Sequence, residues 1–253
     1  MPSIIFLHGL LGTNADWHAV IEKFAEKAPQ IDCIALDLPL HGENKPVEVT
    51  GFEQTAQFVS QQIQQKIQNK PYILVGYSLG GRIALYYALQ AQWEKGNLQG
   101  LILEGANLGL KNEQEKQQRW QNDQYWAKRF MKENPETVLQ DWYQQSVFAH
   151  LTEQQRANLI AKRASNCGEN IGKMLLATSL AKQPDFSEKV RSKSLPIYYL
   201  LGERDRKFCQ LAKQKNLHFS IIPNAGHNAH LENPVAFAEQ LRRFAFEIAK
   251  VPL

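Results

Sequence analysis

Cysteine is scarce in this sequence: the 253 residues hold three, Cys33, Cys167 and Cys209, far apart and odd in number. They form no C-x-x-C pair, which argues against a disulfide framework or a structural zinc and for a reducing compartment. Long apolar runs are missing too. No stretch approaches the roughly 18 residues of a membrane span, and the opening MPSIIFLHGL has neither a charged leader nor a small-residue cleavage site. A cytoplasmic protein is expected. Nor is there an excess of one charge: 29 basic residues face 25 acidic ones, a net +4 without any basic run or interleaved aromatics. That is too mild for nucleic acid, though it suits a small anionic ligand. No 20–50-residue repeat is visible, and nothing requires a metal, an organic cofactor or an obligatory protein partner.

Short apolar runs bounded by turn residues are present, at 4–7, 31–36, 72–75, 98–103, 197–201 and 219–222. Several are rich in Ile and Val and do not alternate, the pattern of strands covered on both faces. Amphipathic periodicity lies between them, at 14–27, along Val59, Ile63 and Ile67, at 82–92 and at 234–250. Strand then helix, repeated, predicts an α/β fold with a parallel sheet between helical layers. The middle departs from this rhythm. Residues 108–188 show helical periodicity and no convincing strand, so a helical cap is expected there, inserted into a core made of 1–107 and 189–253.

The stretch GYSLGG, residues 76–81, follows the third apolar run and leads into a helical pattern. A strand that turns at once into a helix forces its apex residue into strained backbone angles, and glycines at 76 and 80 remove Cβ atoms that would collide. Ser78 is thereby lifted to where a reagent can reach it, beside the amino end of the next helix, where N–H groups favour negative charge. A serine hydroxyl at neutral pH needs a histidine to take its proton and a carboxylate to orient that histidine. His227, in NAGHNAHLENP, and Asp205, in LLGERDRKF, both follow predicted strands and would reach the carboxyl end of the same sheet. His230 competes with His227, while Glu203 and Glu104 compete with Asp205. A developing oxyanion also needs donors, and the N–H groups of Leu79 and of Leu10, in HGLLG, are the expected pair. His8 is read as shaping that loop, with no proton-transfer role.

The order Ser78, Asp205, His227 and the segments FLHGLLG, DLPLHGEN, GYSLGGR, GERD and AGHNAHLENP resemble the α/β-hydrolase superfamily over nearly the whole chain. The resemblance implies a mostly parallel sheet of about six strands with flanking helices and a helical cap, the N-terminal antiparallel strands of many members missing. Members commonly read D-x-P-G-H-G where this chain has Leu40, so a differently built turn is expected there. Further segments, DWYQQSVFAHL and KRASNCGENIGKMLLATSLAKQPD among them, resemble the pyruvate-eliminating synthases of menaquinone biosynthesis, a lyase family within the superfamily. That likeness implies a small polycarboxylate substrate, and Arg82, Arg119 and Arg163 match arginines of the family's substrate site; guanidinium binds carboxylate in a bidentate, directional way. Tyr77, Trp142 and Lys207 are expected to line the pocket. The triad alone leaves elimination and hydrolysis open. An ester, thioester or carbon–carbon bond hydrolase passing through an acyl-serine would use the same three residues, and a ligand-binding receptor could keep the scaffold without catalysis.

Overall fold

Each of the six apolar runs is a strand in the computed structural model of the protein, which describes residues 1–192 and 195–250: β1 (Ser3–Leu7), β2 (Cys33–Leu36), β3 (Tyr72–Tyr77), β4 (Leu98–Glu104), β5 (Ile197–Gly202) and β6 (His218–Ile222). The parts of the expected core at 193–194 and 251–253 lie outside the described residues. Every ladder is parallel, in the order β2-β1-β3-β4-β5-β6. β1 lies between β2 and β3, so the chain leaves β1 in one direction and returns past it in the other. Parallel sheets hold their ligands outside the carboxyl ends of the strands at such a reversal.

The helices among the described residues are α1 (His18–Ala25), α2 (Phe52–Ile67), α3 (Leu79–Leu89), α4 (Glu113–Lys132), α5 (Pro135–Trp142), α6 (Glu153–Arg163), α7 (Gly168–Ala177), α8 (Ser187–Arg191), α9 (Arg206–Gln214), α10 (Ala229–Glu232) and α11 (Pro234–Ala249). Because side chains alternate along a strand, Ile5 and Leu7 of β1 join one apolar layer with α2, α3 and α9, while Ile4 and Phe6 join another with α1 and α11. In α2, Ala56, Val59, Ile63 and Ile67 are buried at helical spacing and most glutamines face solvent. Burying each large apolar side chain in such a stripe stabilises by about 1.5–3 kcal/mol.

Helices α4 to α8 occupy the interval between β4 and β5, and α8 straddles residue 188, the expected limit of the insertion. Their starts are written locally: Asn112 caps α4, Asn134 precedes Pro135 at α5, and Thr152 forms a capping box with Gln155 at α6. They carry an apolar cluster of their own, including Trp126, Phe130, Val138, Leu139 and Ile171, into which Leu11 of the loop after β1 inserts. Through Leu11 these helices pack on the loop that leaves the carboxyl end of β1.

The turn at Leu40 corrects one expectation. Leu40 adopts φ +64°, the left-handed geometry that glycine favours, with its N–H bonded to the Asn44 carbonyl at 2.9 Å and its side chain buried. A leucine thus stands in glycine-like geometry, and the strain, on the order of 1–2 kcal/mol, is offset by burying its side chain.

Two histidines tie the loops after β1 and β2 together. His8 Nε2 accepts the Leu38 N–H at 3.0 Å and its Nδ1 faces the Gly9 carbonyl at 2.8 Å; His41 Nε2 accepts the Leu11 N–H at 3.3 Å and its Nδ1 faces the Pro39 carbonyl at 2.9 Å. Burial lowers His8 to about 4 and His41 to about 3. Both rings are therefore neutral in the folded chain, while the unfolded chain protonates them near pH 6.5. The unfolded state binds more protons below that pH, so stability should fall on acidification by about 1.4 kcal/mol per pH unit for each histidine. The loss runs from about pH 6.5 until the folded rings themselves protonate. Urea denaturation at pH 7, 6 and 5 measures it, and an unchanged free energy from pH 7 to 5 would contradict the assignment.

Burial pushes the Cys33 thiol up to about 12, which makes it unreactive. Among the described residues no helix is long and apolar enough to cross a membrane, and no cluster of three or more His, Cys, Asp or Glu side chains could hold a metal ion.

Candidate active site

β3 ends at Tyr77 and α3 begins at Leu79, so Ser78 alone makes the corner. Its φ of +49° is left-handed, a strain of order 1–3 kcal/mol for a residue other than glycine. Two bonds hold it there: the Ser78 N–H donates to the Glu104 carbonyl at 2.7 Å, and the Arg82 N–H donates to the Ser78 carbonyl at 3.0 Å. A Cβ at Gly76 would stand 2.6 Å from the Gly81 backbone, and one at Gly80 would stand 2.5 Å from the carbonyl oxygens of Leu7 and His8. Glycine at these two positions lets the corner seat against β1.

Asp205 follows β5 and caps α9. One carboxylate oxygen accepts the Phe208 N–H at 3.3 Å, and the other lies 2.7 Å from His227 Nδ1. The imidazole is enclosed by rings: Phe208 stacks on it at 5.2 Å, Tyr77 lies at 5.3 Å and Phe148 meets it edge-on at 5.9 Å. Glu232 steadies the histidine loop by accepting the N–H groups of Gly226 at 2.9 Å and Asn228 at 3.2 Å. The rival side chains are engaged elsewhere. Glu104 lies 2.8 Å from His230 Nδ1, and Glu203 accepts the Asn224 N–H at 3.0 Å.

Ser78 and His227 line two hollows together. One, of about 50 Å³, is walled by the 9–12 loop, Tyr77, Trp142 and Arg163. Leu10 lies on it, and the Leu79 N–H, in the first turn of α3, has no acceptor within the helix. The Tyr77 hydroxyl is turned to Asn228 Oδ1. The other hollow, of about 150 Å³, brings Arg82, Arg119, Lys207 and Trp142 around the serine. A wider cleft, of about 690 Å³, is not on the serine; it lies behind Asp205 and shares Val147 and Lys207 with the second hollow.

The basic residues are held from behind. Arg82 donates to the Thr178 carbonyl at 2.7 Å, Arg119 Nε to Asp123 at 2.8 Å, and Arg163 to Asp16 at 2.6 Å. Burial, and then the charge of Arg119, brings Arg82 down to about 9. The same two causes pull Lys207 below its ordinary value, although much of that residue is solvent-exposed. At Asp16 burial acts upward, but Arg163 and Lys162 outweigh it and hold the carboxyl well below the usual range. Arg163 thus latches the insertion to the loop after β1. Arg163→Ala should therefore cost about 3 kcal/mol of stability by leaving a buried carboxylate short of a partner, besides any effect on turnover. Urea titration checks this; a variant within 0.5 kcal/mol of the parent would contradict the latch.

Asp16, Asp123, Thr178 and Glu232 escaped sequence reasoning. Only Asp123 left a signal, four residues after Arg119 on one helix face.

A profile of the alpha/beta hydrolase fold matches residues 2–234. The chain belongs to the α/β-hydrolase fold family. Within that family it is 61% identical to a Haemophilus influenzae protein provisionally named 2-succinyl-6-hydroxy-2,4-cyclohexadiene-1-carboxylate synthase, over 99% of this chain and 100% of the relative. It is 43% identical to the synthase of that name from Yersinia pestis strain Pestoides F, over 99% of this chain and 90% of the relative. The solved structure of MenH from S. aureus superposes with a TM-score of 0.87 at 29% identity, over 98% of this chain and 94% of the other. An esterase from Thermogutta terrifontis superposes at 0.79 with 20% identity, over 98% and 90%, a likeness of fold alone. This α/β-hydrolase is an enzyme, and these curated relatives carry the name of a synthase.

Proposed function

We propose that the chain converts 2-succinyl-5-enolpyruvyl-6-hydroxy-3-cyclohexene-1-carboxylate into 2-succinyl-6-hydroxy-2,4-cyclohexadiene-1-carboxylate and pyruvate. Asp205 steadies the His227 imidazole, His227 takes the Ser78 proton, and the serine oxygen removes a proton from the ring carbon beside the succinyl ketone. The electron pair left behind spreads onto the ketone oxygen as an enolate, within reach of the Leu10 and Leu79 N–H groups. It then returns to form a double bond to the next ring carbon, the ring double bond already present shifts one position along, and the carbon–oxygen bond to enolpyruvate breaks. The departing enolpyruvate takes up a proton and becomes pyruvate. Helices α4 to α8 serve as the cap that closes this site.

The observation that carries the reading is the ring of cations on both sides of one serine. Arg82, Arg119 and Lys207 line one hollow and Arg163 the other. A simple ester gives these cations no charge to bind, whereas a tricarboxylate offers a carboxylate to either hollow. Tyr77 and Trp142 supply walls for the ring. The test is to supply the enolpyruvyl-cyclohexene and follow pyruvate together with absorbance of the new diene. Rapid turnover of a nitrophenyl ester with no pyruvate would make the chain a hydrolase, and neither activity would make it a receptor.

A further inference from the structure

Arg119 and Arg82 approach the serine hollow from different parts of the chain, Arg119 from α4 in the insertion and Arg82 from α3 against the sheet. What registers them to each other is a short buried relay. Asp123 is 1% exposed and uses both oxygens: one accepts Arg119 Nε at 2.8 Å and the other accepts the Ser179 hydroxyl at 2.7 Å. The residue before Ser179 is Thr178, whose carbonyl, at the end of α7, accepts Arg82 Nη1 at 2.7 Å. Thr178 and Ser179 are both fully buried.

The chemistry of the contacts matters as much as their connection. A carboxylate that takes Arg119 by Nε fixes the plane of the guanidinium from its inner edge and leaves both terminal nitrogens without a partner among the described residues. Those nitrogens are the ones that form a two-pronged bond with a ligand carboxylate. A carbonyl at a helix carboxyl end carries partial negative charge, so it suits Arg82 in the same way. An ordinary surface pair at this helical spacing would leave Asp123 wet and singly bonded. Asp123 also offsets with one negative charge the mutual repulsion of buried Arg82 and half-buried Arg119.

We infer that Asp123, with Ser179 behind it, is a positioning residue that sets the direction and spacing of the Arg119 and Arg82 guanidiniums and so selects ligands bearing two suitably separated carboxylates. This rests on the proposed lyase reading for its natural substrate, but the arginine pair can be read without turnover.

The experiment compares the parent with Asp123→Asn, Ser179→Ala, Arg119→Ala and the Asp123→Asn/Arg119→Ala double variant. Kinetics of pyruvate release should show KM raised about tenfold in Asp123→Asn with kcat within about threefold, and a smaller rise in Ser179→Ala. In the double variant KM should rise by less than the product of the two single effects, because Asp123 acts in part through Arg119 and in part, through Ser179 and Thr178, on Arg82. Calorimetric titration with citrate, a tricarboxylate that cannot react, should show about tenfold weaker binding in Asp123→Asn. An unchanged KM and citrate affinity in Asp123→Asn, or losses that multiply in the double variant, overturn the inference. If the parent binds citrate and loses it on Asp123→Asn while releasing no pyruvate, the inference stands and the lyase reading falls. A parent that does neither overturns both.

Discussion

Ser78→Ala is expected to lower kcat for pyruvate release by about 10,000-fold or more, since the variant keeps the arginines and the histidine but loses the oxygen that meets the substrate proton in the proposed elimination. Removing a nucleophile or base from a coupled group costs nearly as much as removing the whole group, because the remaining members have nothing to act on. Alanine retains a Cβ and inherits the left-handed φ of +49°, so the thermal midpoint should stay close to that of the parent. A lactate dehydrogenase-coupled assay measures the loss. Retention of more than a tenth of the parent rate would take the serine out of the reaction, leaving His227 to remove the ring proton directly.

Asp205→Asn should lower kcat by about 10,000-fold with little change in stability. Asp205 does two things through two oxygens, capping α9 at the Phe208 N–H and holding His227 Nδ1. Asparagine can keep the first with its carbonyl, and must then present its NH₂ to Nδ1. Nδ1 becomes an acceptor, the ring proton moves to Nε2, and the nitrogen that should receive the serine proton already carries one. The helix cap survives, so denaturation should shift by less than about 1 kcal/mol. Activity within tenfold of the parent would mean that another group orients the imidazole. Glu104 and Glu203 are poor substitutes, being tied to His230 and to the Asn224 N–H.

The strands were legible because a strand buried on both faces writes an unbroken Ile/Val run, and the order of β1 to β6 then restricts where a site can lie. The corner at Ser78 was legible because only glycine tolerates the backbone contacts at 76 and 80. Leu40 was misread for a related reason: a leucine can occupy a glycine-like φ when its side chain finds a core, and the core is not visible from DLPLHGEN alone. Arg163 illustrates the larger gap. Its partner Asp16 is 147 residues away, and no spacing rule links them. The residues that hold the basic groups from behind answer to tertiary geometry, so the resemblance offers the arginines as candidates while nothing in the sequence points to their partners.

An all-parallel sheet has a kinetic consequence. With no hairpin among the described residues, neighbouring strands cannot zip locally; Leu7 pairs with Gly76 and Tyr77 with Glu104, contacts that require long loops to close first. The Ser78 corner is stapled by the Glu104 carbonyl and seated on Leu7 and His8, so it has no existence until three strands have docked. During refolding, regain of turnover should therefore lag behind regain of helical dichroism.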